Sequence, residues 1–319
     1  QYPPSHGVRD NGDFFLGESA TTLAEHLKAA GYQTMASVGA EVTSHHWGFS
    51  QGFDVYFDDM GDARDRNRWR VERPGQAVVD DALSWLERQA TASDPWLSWV
   101  HLFDAHHPYA PSEPFASRFP GQPYRAEVAS ADAQVGRLID ALEQSGMLDD
   151  TWVFMLADHG EGHGSHGEAL HGVLLYDATT RIPLIIRPPD ALAAGRRIEF
   201  PVSIIDIAPT VLSLVNVDRP EEMQGTDLLP WLQPDPASGE PPTREIYIES
   251  LYAWHHFGWA PQRAIVDNEH KLIDSTTPEL FHRKDVRELQ NLAEQDPQVT
   301  EALRQAIDTL QERLDARAT

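Results

Sequence analysis

The chain alternates between segments of helical periodicity and short runs of consecutive apolar residues. Apolar residues recur every three or four positions in the segments that we predict as helices, at residues 21–30, 77–89, 126–145 and 205–215. Continuous apolar runs lie between them, at residues 33–38, 96–103, 152–157 and 182–187. Such runs are typical of strands buried on both faces. The pattern therefore predicts an α/β sheet with helices on both sides.

The periodicity changes after residue 219, where six prolines fall between Arg219 and Thr243. We predict an α/β domain over residues 1–219, a proline-rich connection over 220–242 and a small α+β subdomain over 243–319. The last part combines short strand candidates with one long amphipathic helix, at residues 245–249, 263–266, 270–273 and 297–317.

Composition narrows the class of protein. Of 319 residues, 41% are hydrophobic, which is enough for a buried core. The sequence contains no long uncharged apolar run of the kind that predicts a membrane-spanning helix. The 25 basic and 50 acidic residues give a net charge of -25, which would repel a nucleic acid. There is no cysteine, so disulfides and thiolate chemistry within these residues are excluded. The cellular compartment stays open among periplasm, cytoplasm and secretion.

A Gly/His-rich segment follows the third apolar run. Asp158 and His159 come where the predicted strand ends, and four histidines fall between His159 and His171. Open α/β sheets bind ligands at the carboxyl ends of their strands. A carboxylate and an imidazole suit a divalent cation, and the glycines allow the tight turns that would present both. A solvated loop without function is the alternative.

A second cluster follows the strand predicted at residues 96–103. It reads His101-Leu102-Phe103-Asp104-Ala105-His106-His107-Pro108-Tyr109-Ala110-Pro111. Prolines fix such a loop, and a histidine held there suits protonation of a leaving oxygen. Each histidine taken singly has a structural role as the alternative. The polar, turn-rich residues 5–12 read as an ordinary connecting loop by themselves.

Taken together, these segments resemble the sulfatase family of the alkaline phosphatase superfamily. The resemblance rests on five blocks in the family's order: YPPSHGVRDNG, HLFDAHHPYAP, ADHGEGHGSHGE with LHGVLLYDATTRIPLII, DIAPTVLSLVNV, and ELFHRKDVRELQNLAEQDP. It implies an alkaline-phosphatase-like, mostly parallel central sheet. It also implies a sulfuric ester hydrolase acting on small-molecule or carbohydrate sulfate esters.

The resemblance also implies the roles of individual residues. Asp158 and His159 match ligands of the family's divalent cation, calcium in the first place, with magnesium or manganese as alternatives. Catalytic roles fall on His106, on Asn11 and on His171, which stands near the position of a family lysine. Substrate-binding roles are assigned to His107 and His166.

The family's nucleophile is a formylglycine, and its signature and first strand match no residue of this chain. By the resemblance both lie before Gln1, so we expect a fragment that folds poorly and hydrolyses no ester when expressed alone. Two alternatives remain: a phosphodiesterase or phosphonate monoester hydrolase of the same superfamily, and a non-catalytic binding module that keeps the fold.

Overall fold

The computed structural model describes residues 1–11, 14–60, 72–189, 194–233 and 241–316. It divides into two compact units. The larger unit combines residues 1–10 with residues 153–319, and the smaller unit consists of residues 11–152. This division differs from the predicted boundary at residues 220–242, which stays a prediction, and residues 234–240 of that stretch lie outside the described part of the chain.

The smaller unit contains a parallel sheet of three strands in the order β2-β1-β3. The strands are β1 (Gln33–Val38), β2 (Val55–Phe57) and β3 (Trp96–His101). Its helices are α2 (Leu23–Ala29), α3 (Gly75–Gln89), α4 (Phe115–Arg118) and α5 (Pro123–Gln144), while α1 (Pro3–His6) belongs to the larger unit. The predicted helices and strands of this region are therefore present, and β2 is an addition too short to be recognised by its period.

Local chemistry fixes where these elements begin. Thr22 caps α2 because its hydroxyl accepts the Glu25 N–H, and the Glu25 carboxylate accepts the Thr22 N–H in return. Helix α3 buries an apolar face that includes Val78, Ala82 and Trp85 against the sheet. The buried Ser37 hydroxyl on β1 donates to the Val78 carbonyl, so this polar group is satisfied inside the core.

The larger unit contains two separate sheets. Strands β4 (Val153–Leu156) and β5 (Leu184–Arg187) pair antiparallel. A four-stranded antiparallel sheet follows, with β6 (Ile246–Ser250), β7 (Gln262–Val266), β8 (His270–Asp274) and β9 (Glu279–His282) in chain order. The helices are α6 (Asp177–Thr180), α7 (Ile207–Leu214), α8 (Leu229–Leu232), α9 (Tyr252–Phe257) and α10 (Pro297–Asp315). The connection between these two strands, residues 157–183, carries the Gly/His-rich segment and α6, and β5 returns antiparallel to β4.

The four-stranded sheet is buried on both faces, because successive residues of a strand point to opposite sides. Leu272 of β8 packs with residues of α10, such as Ile307, whereas its neighbour Ile273 packs with Leu175 on the other face. The same alternation holds for Ala264 and Ile265 of β7. In the described part of the chain, no helix has the length and apolar character that crossing a bilayer requires.

A buried ion network joins this sheet to α6. The ammonium of Lys271, on β8, lies 2.8 Å from Asp177 and 2.9 Å from Glu288, and the Lys271 residue is only 2% exposed. Glu288 also accepts the backbone N–H of Asp177. Burial raises the pKa of Glu288, and the ammonium of Lys271 opposes that rise. The buried ammonium therefore has two carboxylate partners, one of them, Glu288, buried as well.

We predict that Lys271→Met destabilises the protein by about 3 kcal/mol at neutral pH, because it leaves the buried carboxylate of Glu288 without its cation, while Asp177 keeps Arg181 at 3.7 Å. Urea unfolding monitored by circular dichroism gives the free energy of unfolding. The matched control is Lys284→Met, which removes an exposed lysine and is expected to change stability by less than about 0.5 kcal/mol. Equal unfolding midpoints for the two variants would show that the network is not stabilising.

Candidate functional site

Asp158 and His159 follow β4 directly, as predicted for a site at the end of a strand. The Asp158 carboxylate accepts the backbone N–H of His159 at 2.9 Å, and its side chain is 71% exposed. Nδ1 of His159 lies 2.9 Å from the Gly160 carbonyl, which only accepts, so Nδ1 carries the proton and Nε2 the lone pair of the neutral ring. Nε2 is 3.6 Å from the carboxylate of Asp158. Two donors suited to a divalent cation therefore lie side by side.

Gly160 holds this turn close to α6. Its N–H donates to the Thr179 carbonyl at 2.7 Å, and a Cβ at this position would lie 2.3 Å from the carbonyl oxygen of Ala178. Backbone atoms cannot move aside as a flexible side chain can. The close approach therefore requires glycine after His159.

His171 lies against His159, so the structure brings three predicted site residues together in the larger unit. The two imidazole rings stack with centroids 4.0 Å apart and an interplanar angle of 26°. Nδ1 of His171 lies 3.1 Å from the carboxylate of Glu161, whose side chain is 5% exposed. Glu161 received no role from the sequence. The sequence feature that could have identified Glu161 is a carboxylate three residues after Asp158. In the structure this carboxylate orients the ring of His171.

The Gly/His-rich loop is held by its own backbone and by a buried carboxylate. Gly162 donates to the Leu170 carbonyl and Gly164 to the Glu168 carbonyl, both at 2.7 Å. The buried side chain of Glu168 accepts the N–H groups of Val173 and Leu174. These contacts give the segment a defined conformation, unlike the solvated loop considered as the alternative.

His166 contacts the C-terminal part of the larger unit. Its ring stacks on Tyr176 with centroids 3.6 Å apart, and its Nε2 lies 3.0 Å from the backbone carbonyl of Glu288. Nδ1 lies 3.0 Å from the Ser165 hydroxyl. These contacts are those of a residue that positions the loop, and the predicted substrate-binding role of His166 stays a prediction.

The donor types at Asp158 and His159 fit a divalent cation, but the number of donors does not complete a site. Within the residues that the structure describes, no three carboxylate, imidazole or thiolate groups gather in a way that would hold a metal ion. A hard cation such as calcium takes six to eight oxygen ligands. Asp158 and His159 can therefore supply only part of a ligand set.

The remaining predicted site residues lie in the smaller unit. His106 follows β3, and its ring stacks on Phe103 with centroids 4.1 Å apart and an interplanar angle of 18°. His107 contacts Tyr109 edge to face, with centroids 5.6 Å apart. Asn11 begins this unit, next to residues 12–13, which lie outside the described part. The ring of His106 is thus held by stacking, which suits a group that must keep one orientation.

A buried acidic residue anchors the loop of His106 and His107. Glu127 of α5 is 6% exposed, and its carboxylate accepts the N–H of Ala110 at 2.8 Å. Burial raises the pKa of Glu127 to about 7, and the neighbouring Asp104 and Glu72 add to the rise, while the Ala110 N–H opposes it. Burial likewise raises the pKa of Asp104.

The first turns of α5 differ from what apolar spacing predicts. The spacing over residues 126–145 predicts that Val128 and Leu142 share a buried face; Leu142 is buried, but Val128 is 43% exposed, whereas Ala126 and Glu127 are buried. The loop after β3 needs an acceptor for the Ala110 N–H, and Glu127 supplies it. The first turns of α5 therefore bury a hydrogen-bonded carboxylate and leave an apolar side chain exposed.

Histidine and carboxylate loops at the ends of α/β strands are the arrangement in which α/β enzymes bind and transform their ligands. The family model described as Sulfatase matches residues 1–217, and the model described as N-sulphoglucosamine sulphohydrolase, C-terminal, matches residues 164–316. The chain belongs to the sulfatase family. It is accordingly a sulfatase-type hydrolase of sulfate esters, and the predicted family membership is confirmed.

Individual relatives agree with this assignment. The chain is 26% identical to an uncharacterized sulfatase, YidJ, of Escherichia coli K12, over 86% of this chain and 68% of the relative. It is 25% identical to an ulvan-active sulfatase of Formosa agariphila, over 99% of this chain and 68% of the relative. Arylsulfatase K of Xenopus laevis is 31% identical, over 55% of this chain and 34% of its own length.

Solved structures show the fold. One was determined in complex with its substrate D-glucosamine-2-N,6-O-disulfate and matches with a TM-score of 0.78 at 20% identity, covering 99% of this chain and 86% of its own. A phosphonate monoester hydrolase of Agrobacterium radiobacter matches with a TM-score of 0.78 at 20% identity, covering 98% and 84%. The predicted alkaline-phosphatase-like α/β fold is thereby confirmed.

The raised pKa of Glu127 predicts a pH dependence of stability. The folded-state pKa, about 7, exceeds the ordinary value of 4.5, so the stability from this group is fully present below pH 4.5 and is lost as the pH rises through 7. Glu127→Gln, which cannot ionise, is expected to flatten the dependence of the unfolding free energy on pH between these values. Denaturant unfolding at several pH values measures it. Glu143→Gln, at an exposed position of α5, is the control and should leave the dependence unchanged. A slope unaltered by Glu127→Gln would contradict the assignment.

Proposed function

We propose that the protein hydrolyses sulfuric esters of small-molecule or carbohydrate alcohols. In this proposal it uses a divalent cation, with calcium as the first candidate, and a formylglycine nucleophile from a residue outside this chain. The observation that carries this proposal is the stacked pair of His159 and His171 beside Asp158 at the end of β4. Imidazole and carboxylate groups at such a position suit an anionic ester and its counter-cation.

In this proposal Asp158 and His159 hold the cation together with further carboxylates. When bound, the cation supplies charge stabilisation for the oxygens of the transferring group. His171 binds a sulfate oxygen. Its contact with the Glu161 carboxylate keeps its ring in the orientation that this binding needs. His106 donates a proton to the departing alcohol, and the stacking on Phe103 keeps its ring in one orientation. His107 contributes to substrate binding, His166 contributes by holding the loop, and Asn11 acts on the substrate side.

A second candidate is hydrolysis of phosphonate monoesters or phosphodiesters. What favours it is the match to a phosphonate monoester hydrolase at a TM-score of 0.78, the same as that to the structure determined with a glucosamine disulfate substrate. Sulfate and phosphate esters share tetrahedral geometry and differ mainly in charge, so the same residues suit both. A non-catalytic module with this fold is the third candidate, and it predicts no turnover of any ester.

The test uses the product of the complete gene, assayed in parallel with p-nitrophenyl sulfate, p-nitrophenyl phenylphosphonate and bis(p-nitrophenyl) phosphate. We expect the highest kcat/KM for the sulfate ester, with His106→Ala lowering kcat about 100-fold because a general acid is lost. His107→Ala is the matched neighbour and should cost far less. A higher kcat/KM for the phosphonate would favour the second candidate, and equal losses for the two histidine variants would overturn the role of His106.

A further inference from the structure

The larger unit displays a group of exposed aromatic side chains on α9 and just after it. We call Tyr252, Trp254, Phe257 and Trp259 the aromatic patch, and their exposed fractions are 40%, 53%, 57% and 60%. Large aromatic side chains grouped at the surface leave apolar area in water that most folds would bury. Such a patch marks a binding surface.

The patch is held in a defined shape by its backbone. Helix α9 ends at Gly258, whose φ of 66° lies in the left-handed region, and the Trp259 N–H then returns to the Ala253 carbonyl at 3.1 Å. The rings of Phe257 and Trp259 consequently lie 5.3 Å apart, and Tyr252 lies 6.0 Å from Phe257. The aromatic faces are therefore arranged before any ligand binds, which lowers the entropy cost of binding.

Hydrogen bonds connect this segment to the candidate site. Ser250, two residues before α9, donates its hydroxyl to the Gly172 carbonyl at 2.7 Å. Gly172 follows His171, which stacks on His159. The start of α9 therefore lies beside the loop that carries the two stacked histidines.

The N-terminal residues hold the segment from another side. Arg9 pairs with Glu249 of β6 through two hydrogen bonds, at 3.1 and 2.7 Å. Asp10 lies 2.8 Å from Nε2 of His256, within α9. The N-terminal segment that contains Arg9 and Asp10 therefore contacts residues both before α9 and inside it. These contacts hold the segment that carries the aromatic patch in place.

We propose that the aromatic patch binds the sugar ring of a sulfated saccharide whose sulfate lies at His159 and His171, an inference that rests on the proposed function. Aromatic faces carry partial negative charge and attract the C–H groups of a sugar ring. The hydrogen bond from Ser250 to Gly172 links the patch to the segment that carries His159 and His171, which favours an occupant that reaches both.

The test is calorimetric titration of the complete gene product with N-acetylglucosamine 6-sulfate and, separately, with inorganic sulfate. Trp259→Ala and Trp254→Ala are each expected to weaken binding of the sugar sulfate about tenfold, the effect of roughly 1.4 kcal/mol from one lost stacking contact. Their affinity for inorganic sulfate should not change. Trp259→Phe keeps an aromatic face and is expected to retain most of the affinity.

Leu289→Ala is the matched control, because Leu289 is 69% exposed and lies outside the patch. If the tryptophan variants bind the sugar sulfate as the wild type does, the inference is overturned. It is also overturned if the patch proves instead to drive sedimentation with anionic phosphatidylglycerol vesicles, or self-association that both tryptophan variants abolish.

The two proposals fail in different ways. Turnover of p-nitrophenyl sulfate with sugar binding that is insensitive to the patch overturns this inference alone. Patch-dependent sugar binding without affinity for inorganic sulfate and without turnover overturns the proposed function and leaves a sugar-binding surface.

Discussion

The larger unit depends most on the contacts that the buried carboxylate of Glu288 makes. Its carboxylate meets the ammonium of Lys271 on β8 and the backbone N–H of Asp177 at the start of α6, while its carbonyl faces His166. A carboxylate in this environment would be costly without a cation, because burial raises its pKa. One residue thus joins the four-stranded sheet, α6 and the Gly/His-rich loop.

That connection has a consequence for the site. The stacking of His166 on Tyr176 fixes the loop at one end, and Gly160, within contact distance of Ala178, fixes it at the other. Between these points the backbone hydrogen bonds of Gly162 and Gly164 leave little freedom. His159 and His171 are consequently stacked before any ligand binds, which is the preorganisation that electrostatic stabilisation of an anion requires.

Sequence patterns were sufficient to locate the helices and strands whose hydrophobic period and length are both distinctive. The long helices α3, α5 and α10 and the strands β1, β3, β7 and β8 fall where hydrophobic periodicity placed them. Asp158 and His159 also follow the end of a strand, as expected, and their role as cation ligands stays a prediction. Both signals depend only on residues close together in the chain.

What the sequence did not reveal depends on partners far away in the chain. Glu288 and Lys271 are charged residues whose burial follows from Asp177, about a hundred positions earlier. Glu127 is buried and accepts the N–H of Ala110 in the loop after β3, whereas its apolar neighbour Val128 is 43% exposed. The antiparallel pairing of β4 with β5 brings together strands separated by residues 157–183, and apolar runs alone do not encode strand direction. Polar burial and strand direction are tertiary properties, and hydrophobic period is local.

The central claim is that a buried carboxylate holds the Gly/His-rich loop in place. Hydrogen–deuterium exchange of residues 160–177 in Glu288→Gln tests it most directly, with Glu294→Gln at an exposed position as the control. A glutamine keeps the shape of the side chain but presents a neutral amide to the ammonium of Lys271. We expect faster exchange throughout this segment in Glu288→Gln than in the unmodified protein, and unchanged exchange in the control variant. Exchange in the loop that equals that of the unmodified protein, with faster exchange confined to β8, would contradict the account.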